Sequence, residues 1–292
     1  MALVAPAGPI DQARLDNAVA MCASLGLEPV AGAAVLQRTG YLAGGDQARA
    51  DDLRHALQDT SIDAVWALRG GYGTARLLPH LDFAHLATTP KAYIGFSDNT
   101  TIHLALARRH VVSFHAPHAG GDFPAFAEKS FRSVLFDGQS GVLATPPDAP
   151  LQSVQRGVAE GRLVGGNLSL LAAAAGTDIA LRGDGVLLFI EEIEEPPYRI
   201  DRMLTQLLHS GALDGVAGIV IGQFSSCDDG AASALDVLSE RLQPLGVPIV
   251  ANAPLGHVPD NWTIPVGVRA RLDAHDSPTL TTLESAVAEL AA

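Results

Sequence analysis

Cysteine, aromatic side chains and positive charge are all scarce in this 292-residue chain, and each scarcity closes off a class of function. The two cysteines, Cys22 and Cys227, lie far apart and in no metal-like spacing. No disulfide framework is therefore expected, and free thiols in a reducing compartment are. Lys and Arg number 19 against 32 Asp and Glu, a formal net charge of −13. That balance argues against a nucleic-acid surface or an anionic membrane as partner and fits a cytosolic enzyme for small substrates. No apolar run is long enough to span a bilayer; even residues 168–175 are closed by Gly176-Thr177-Asp178. Residues 1–10 lack a basic n-region and are interrupted by prolines, so they read as a strand and loop rather than a signal peptide. With no His-Glu-x-x-His and no cysteine cluster, no metal site is expected.

What is present is a soluble globular composition, 48% hydrophobic and 17% charged, long enough for one large or two modest domains. Residues 2–5 read as a strand. Asp11 is placed to cap a helix running to Leu25, with Leu15, Ala18, Val19 and Cys22 at helical spacing and Gly26 as its stop. A strand over 28–34, a helix over 48–59, a strand over 64–68, a short helix over 74–78 and a strand over 92–94 follow. Alternation at this pitch implies a parallel sheet wound by right-handed crossovers. Residues 115–124 form a Gly/Pro/His loop, and the stiff polar segment 145–150 marks a domain boundary. The expected organisation is an N-terminal α/β domain over 1–145, a linker over 146–160 and a C-terminal domain over 161–292. In the latter, strands are expected at 162–165, 185–191, 218–224 and 248–251. Helices are expected at 168–175, 201–210 and 232–243, with a closing hairpin of 269–273 and 279–282.

Three places carry chemistry. Gly95-Phe96-Ser97-Asp98-Asn99 joins a buried strand to a helix beginning at Thr100, which has the shape of a nucleophile elbow. Asn99 stands where a second glycine is usual, and Asn tolerates strained backbone; the competing reading is an ordinary helix cap by Ser97 or Asp98. Arg69-Gly70-Gly71-Tyr72-Gly73 follows a strand and precedes a helix, and its glycines suit either a bare turn or a backbone donor to an oxyanion. Glu191 and Glu192 end an apolar strand and, by alternation, face opposite sides, while Glu194 and Glu195 extend a run that is otherwise a solvated edge. Of ten histidines, His257 and His115 sit in loops at strand ends. Serine, carboxylate and histidine in the order Ser…Glu…His are the ingredients of nucleophilic acyl transfer.

The sequence resembles the LD-carboxypeptidase family of serine peptidases along nearly its whole length. Val4-Ala5-Pro6, Arg69 to Gly73, Ile94-Gly95-Phe96-Ser97-Asp98, Gly165-Gly166-Asn167-Leu168, Phe189-Ile190-Glu191-Glu192, Asp201-Arg202-Met203-Leu204 and Gly256-His257 carry the likeness. The resemblance implies an N-terminal flavodoxin-like parallel-sheet domain and a smaller C-terminal α/β domain of swivelling, β-barrel-like type. It implies a catalytic triad of Ser97, Glu191 and His257, and an oxyanion hole from the backbone amides of Gly71 and Asp98. Substrate contacts fall to Arg69, Gly70 and Asn167. It further implies a cytoplasmic homodimer that needs no cofactor. Ala116 replaces glycine in a His-Gly-Pro run and Ala7 replaces a usual serine, both in loops expected to touch substrate. Two substrate classes divide the family: a murein tetrapeptide losing its terminal D-alanine in cell-wall recycling, and, in the microcin-immunity type, an amide joining a peptide or aminoacyl group to a nucleotide. Aromatics at 5% favour the first, while Trp262 behind His257 keeps the second in play. A non-catalytic α/β ligand-binding protein is the alternative from a different class.

Overall fold

The apolar run Ala64–Ala67 is the central strand of a parallel sheet, flanked by Ala2–Val4 and Val30–Ala31 on one side and Ala92–Gly95 and Ser113–His115 on the other. This is the flavodoxin-like strand order, with the first strand inside and the second at the edge. It belongs to one of two compact units, Met1–Phe123 and Pro124–Ala292, into which the computed structural model divides; residues 1–230 and 232–287 are described. The helices Gln12–Ser24, Asp46–Gln58 and Thr100–Ala107 lie in the first unit. Asp11 caps the first of them, its Oδ1 accepting the Arg14 amide at 2.9 Å. The strand expected over 28–34 shrinks to Val30–Ala31, both exposed. Pro29 offers no amide to the ladder, and Asp52 Oδ2 takes the Ala34 amide at 2.8 Å, turning the chain off the sheet.

The second unit is built on an eight-stranded mixed sheet. Its parallel centre is Val158–Asn167, Val186–Ile193, Gly218–Ser225 and Ile249–Ala251. Gln152–Gln155 closes one edge antiparallel to Ile249–Ala251; Arg269–Asp273, Thr279–Thr282 and Gly141–Val142 continue the other. Among the described residues the two end strands do not pair, so the sheet is open rather than a closed barrel. Helices Leu168–Ala174, Pro197–His209 and Ala234–Leu242 connect its strands. The helix expected from 201 begins four residues earlier because Pro197, at the first turn, needs no donor there.

The join between units falls at 123/124, whereas the stiff segment 145–150 suggests a join at 145 with a linker to 160. The reason for the difference is local. Ala127, Phe131 and Val134 form the buried face of a helix, Ala125–Leu135, whose Ser130 hydroxyl accepts the Thr263 amide at 2.9 Å. Trp262 Nε1 donates to the Ala144 carbonyl at 2.6 Å, and residues 152–155 are a strand of the sheet. The segment 124–160 is thus woven into the second unit.

Candidate active site

Strand Ala92–Gly95 delivers the chain to Phe96, and Ser97 then takes a left-handed backbone, φ 60. A short turn of 3₁₀ helix over Ser97–Asn99 leads into the buried helix Thr100–Ala107. A β-carbon at such φ is strained, and strained residues of this kind collect at functional sites. The strain lies at Ser97, not at Asn99, which has ordinary helical φ of −67. Asn99 is instead a brace: its Nδ2 donates to the Phe96 carbonyl at 3.0 Å, and Tyr93 donates its hydroxyl to Asn99 Oδ1. A side chain at Gly95 would meet Asn99 Cγ at 3.0 Å, so the glycine makes room for that brace.

Asp98 is buried and does not cap the helix behind it. Its Oδ2 accepts the Thr74 amide at 2.8 Å, and its carbonyl accepts the Thr74 hydroxyl at 2.6 Å. Burial raises its pKa, with the hydrogen bonds from Thr74 working against that. The pair ties the serine turn to the glycine turn 70–73. Gly70 is buried there, and a β-carbon on it would lie 2.9 Å from Ser97 Cβ and 3.1 Å from Ser97 Oγ. Gly71 adopts φ 109 and is exposed. Arg69 is exposed, with Nη1 donating to the Pro9 carbonyl at 2.9 Å.

In the second unit, Glu191 and Glu192 point to opposite faces of Val186–Ile193, as alternation requires. Glu191 is fully buried, and its Oε2 lies 2.8 Å from His257 Nδ1. Burial raises the Glu191 pKa while the histidine opposes the shift. On His257, burial disfavours the charged ring, but the Glu191 hydrogen bond and charge outweigh it, so its pKa is raised. Gly256, at φ 118, lets the loop come this close: a β-carbon there would sit 2.9 Å from Glu191 Cβ. Asn261 holds the loop, its Nδ2 donating to the Gly256 carbonyl at 2.7 Å. Glu192 does structural work. Its oxygens accept from Asn167 Nδ2 at 2.7 Å, from the Ser169 amide at 2.8 Å and hydroxyl at 2.7 Å, and from the Ile193 amide at 2.9 Å. Asn167 is buried beside it and also favours the ionised Glu191.

The structure thus joins Glu191 to His257, and Ser97 to Gly70, each pair within one unit. His115 is fully buried at the end of its strand, its ring 5.9 Å from Phe96 and 6.2 Å from His103. Three further residues brace these turns without any mark in the sequence motifs. His118 stacks on Phe96 at 4.3 Å and places Nε2 3.1 Å from Asn99 Nδ2. His103 bridges the Ser113 hydroxyl and the Gly95 carbonyl, each at 2.8 Å. Arg49, buried, donates Nη1 to the Pro6 carbonyl and, at 3.0 Å, to that of Gly73. Only the histidine-rich composition of 115–124 hints at any of them. Among the described residues, no group of three His, Cys, Asp or Glu is placed to hold a metal ion, and no helix is long and apolar enough to cross a membrane.

Comparison with known proteins matches the LD-carboxypeptidase N-terminal domain over residues 1–116 and the LD-carboxypeptidase C-terminal domain over 160–272. A putative carboxypeptidase of Streptomyces coelicolor is 43% identical over 96% of this chain and 92% of its own. The murein tetrapeptide carboxypeptidase of Pseudomonas aeruginosa is 35% identical, over 94% of this chain and 93% of its own. Among solved structures, muramoyltetrapeptide carboxypeptidase from Oxalobacter formigenes superposes with a TM-score of 0.85 at 33% identity, covering 98% of this chain and 99% of that one. The microcin C7 self-immunity protein MccF, at 23% identity and TM-score 0.88 over 97% of this chain and 96% of that one, shares the fold. On the two domain matches and this identity along nearly the full length, the chain belongs to the LD-carboxypeptidase family of peptidases.

Proposed function

We propose that this protein is a serine-type carboxypeptidase that hydrolyses the amide between an L-centre and a terminal D-residue, releasing D-alanine from a murein tetrapeptide. Ser97 Oγ attacks the scissile carbonyl and gives its proton to His257 Nε2. Glu191, bonded to Nδ1 at 2.8 Å, fixes the tautomer and stabilises the imidazolium. The oxyanion is taken by the amides of Gly71 and Asp98. His257 then protonates the departing D-alanine nitrogen, and water, deprotonated by the same ring, cleaves the acyl-serine to regenerate the hydroxyl. Arg69 receives the substrate's terminal carboxylate. Gly70 lends room beside the serine, and Asn167, whose Nδ2 donates to Glu192 Oε1, is the third substrate contact. We place the enzyme in the cytoplasm as a homodimer serving cell-wall recycling.

The observation that carries this reading is the Glu191–His257 pair, a fully buried carboxylate committed to a ring nitrogen of a half-buried histidine, in a chain of this family. The test is release of D-alanine from L-Ala-γ-D-Glu-L-Lys-D-Ala by the wild-type protein and by Ser97→Ala. The variant is expected to fold and to lose about 10⁴-fold to 10⁶-fold in turnover. Retention of a tenth of the activity rejects Ser97, and absence of labelling by a fluorophosphonate favours a binding protein instead. A second reading, cleavage of an aminoacyl-nucleotide amide, draws on Tyr41 and Tyr72, exposed with ring centroids 5.9 Å apart. Neither tryptophan supplies a base platform: Trp66 and Trp262 are both buried and donate Nε1 to main-chain carbonyls. Preferential cleavage of such an amide in the same assay moves the protein to that branch.

A further inference from the structure

Two cavities of the first unit, 520 Å³ and 620 Å³, share Pro9, Arg38 and Arg69 as wall residues. The smaller also has Arg14 on its wall, and the larger has Gly71. Three arginines around one cavity stand out in a chain with 19 basic and 32 acidic residues. Their guanidinium groups are unequally committed. Arg14 spends Nε on the carbonyls of Leu68 and Ala119, both at 3.1 Å, and Arg69 spends one nitrogen on Pro9. Arg38 is exposed and has no hydrogen bond or ion pair among the described residues. Burial and then the charge of Arg69 both disfavour the Arg14 cation, against help from Asp122 and Asp11. Asp11 is the one carboxylate on the wall, and its Oδ1 already accepts the Arg14 amide. The wall therefore holds Arg14 and Arg69 repelling one another, with the uncommitted Arg38 guanidinium beside them, and donors only partly used, a setting that an oxyanion relieves.

We propose that Arg38 and Arg14, beyond Arg69, form an anion subsite that receives a second carboxylate of the substrate, on the acyl side of the scissile bond, so that the enzyme selects acidic peptides. This rests on the carboxypeptidase reading above, which supplies the first carboxylate and its place at Arg69. The larger cavity, with Gly71 and Arg69 on its wall, shares Arg38 with the smaller one, where Arg14 lies, and so links the proposed oxyanion donor to the new subsite.

The test separates binding from turnover. The product tripeptide L-Ala-γ-D-Glu-L-Lys and its analogue with the D-Glu α-carboxyl amidated are titrated calorimetrically into wild-type, Arg38→Ala and Arg38→Lys proteins, with D-alanine release from the tetrapeptide assayed alongside. Arg38→Ala is expected to weaken the acid tripeptide about 5-fold to 30-fold and to leave the amide within about twofold, with Arg38→Lys between, since lysine keeps the charge and loses the fork. The loss in the release assay is expected in KM rather than kcat. Equal weakening of acid and amide, no weakening of either, or no binding of the acid tripeptide by wild type at millimolar concentration overturns the subsite. Failure of wild type to release D-alanine removes the carboxypeptidase reading instead, and leaves the acid-minus-amide difference to decide the subsite by itself.

Discussion

Ser97 bears its hydroxyl on a backbone that only glycine adopts freely. Alanine at this position keeps the strain, and glycine relieves it. Ser97→Gly is therefore expected to be more stable than Ser97→Ala by about 1 kcal/mol in denaturant unfolding, although both are inactive. Equal stability would mean that the left-handed turn costs nothing here. The two neighbouring glutamates divide activity from stability in the same way. Glu191→Gln is expected to cost far more activity than Glu192→Gln, because only Glu191 meets His257. Glu192→Gln, which turns an amide NH₂ toward donors that a carboxylate satisfied, is expected to lower stability by about 1–3 kcal/mol. The pH profile adds a sign. A general base must be neutral, and the raised pKa of His257 moves the acid limb of kcat/KM above that of an ordinary imidazole. Glu191→Gln removes the largest raising contributions and leaves burial against the weaker pull of Glu192 and Glu194, so the limb is expected to move to lower pH even as the rate falls. An unmoved limb would assign the titration to another group.

Elements meet at glycines where no side chain fits. Gly165, in the strand Val158–Asn167, pairs with Phe189, and a β-carbon there would lie 1.8 Å from the Phe189 carbonyl oxygen. Gly165→Ala is expected to unfold the second unit or force its two central strands apart, read as loss of amide protection across 186–193. Full protection there would show that the strands can yield without parting. The central strands are legible in the sequence because their apolar runs, such as 64–67 and 186–190, are bounded by turn residues. The edges are not: Gly141–Val142 and Gln152–Gln155 are short and partly exposed, and they are strands only because distant segments pair with them. The helix Ala125–Leu135 has its apolar spacing in plain view, but the Gly/Pro/His loop before it and the prolines after it make the region look like the loosening end of a domain. Of the site, the strand–Ser97–helix turn and the opposite faces of Glu191 and Glu192 can be read from local pattern. Asp98 with Thr74, or His118 with Asn99, join residues 24 and 19 apart, and nothing in either segment alone announces the partner.

At the scale of the molecule, buried titratable groups pull the acid stability in opposite directions. His103 is fully buried between the Ser113 hydroxyl and the Gly95 carbonyl, and burial drives its pKa down to about 4. An unfolded histidine takes its proton near pH 6.5, so between there and pH 4 the unfolded chain binds the proton that the folded one refuses. Stability from this group is present above pH 6.5 and is lost as pH falls toward 4. Asp98 and Glu191, raised by burial, pull the other way, costing stability as pH rises from the ordinary carboxylate range toward their folded values. The total is a compromise, and the His103 share is isolated by His103→Gln, whose amide can donate to the Gly95 carbonyl and accept from Ser113 without titrating. Unfolding of the first unit is followed through Trp66, with Trp262→Phe silencing the tryptophan of the second unit. Between about pH 7 and pH 4.5, the protein that keeps His103 is expected to lose about 2–3 kcal/mol more stability than the His103→Gln variant, which lacks this titration and so has a flatter acid limb. Parallel losses in the two proteins would show that His103 takes up its proton inside the fold, and the brace on Gly95 behind the serine turn would then be one that yields to acid.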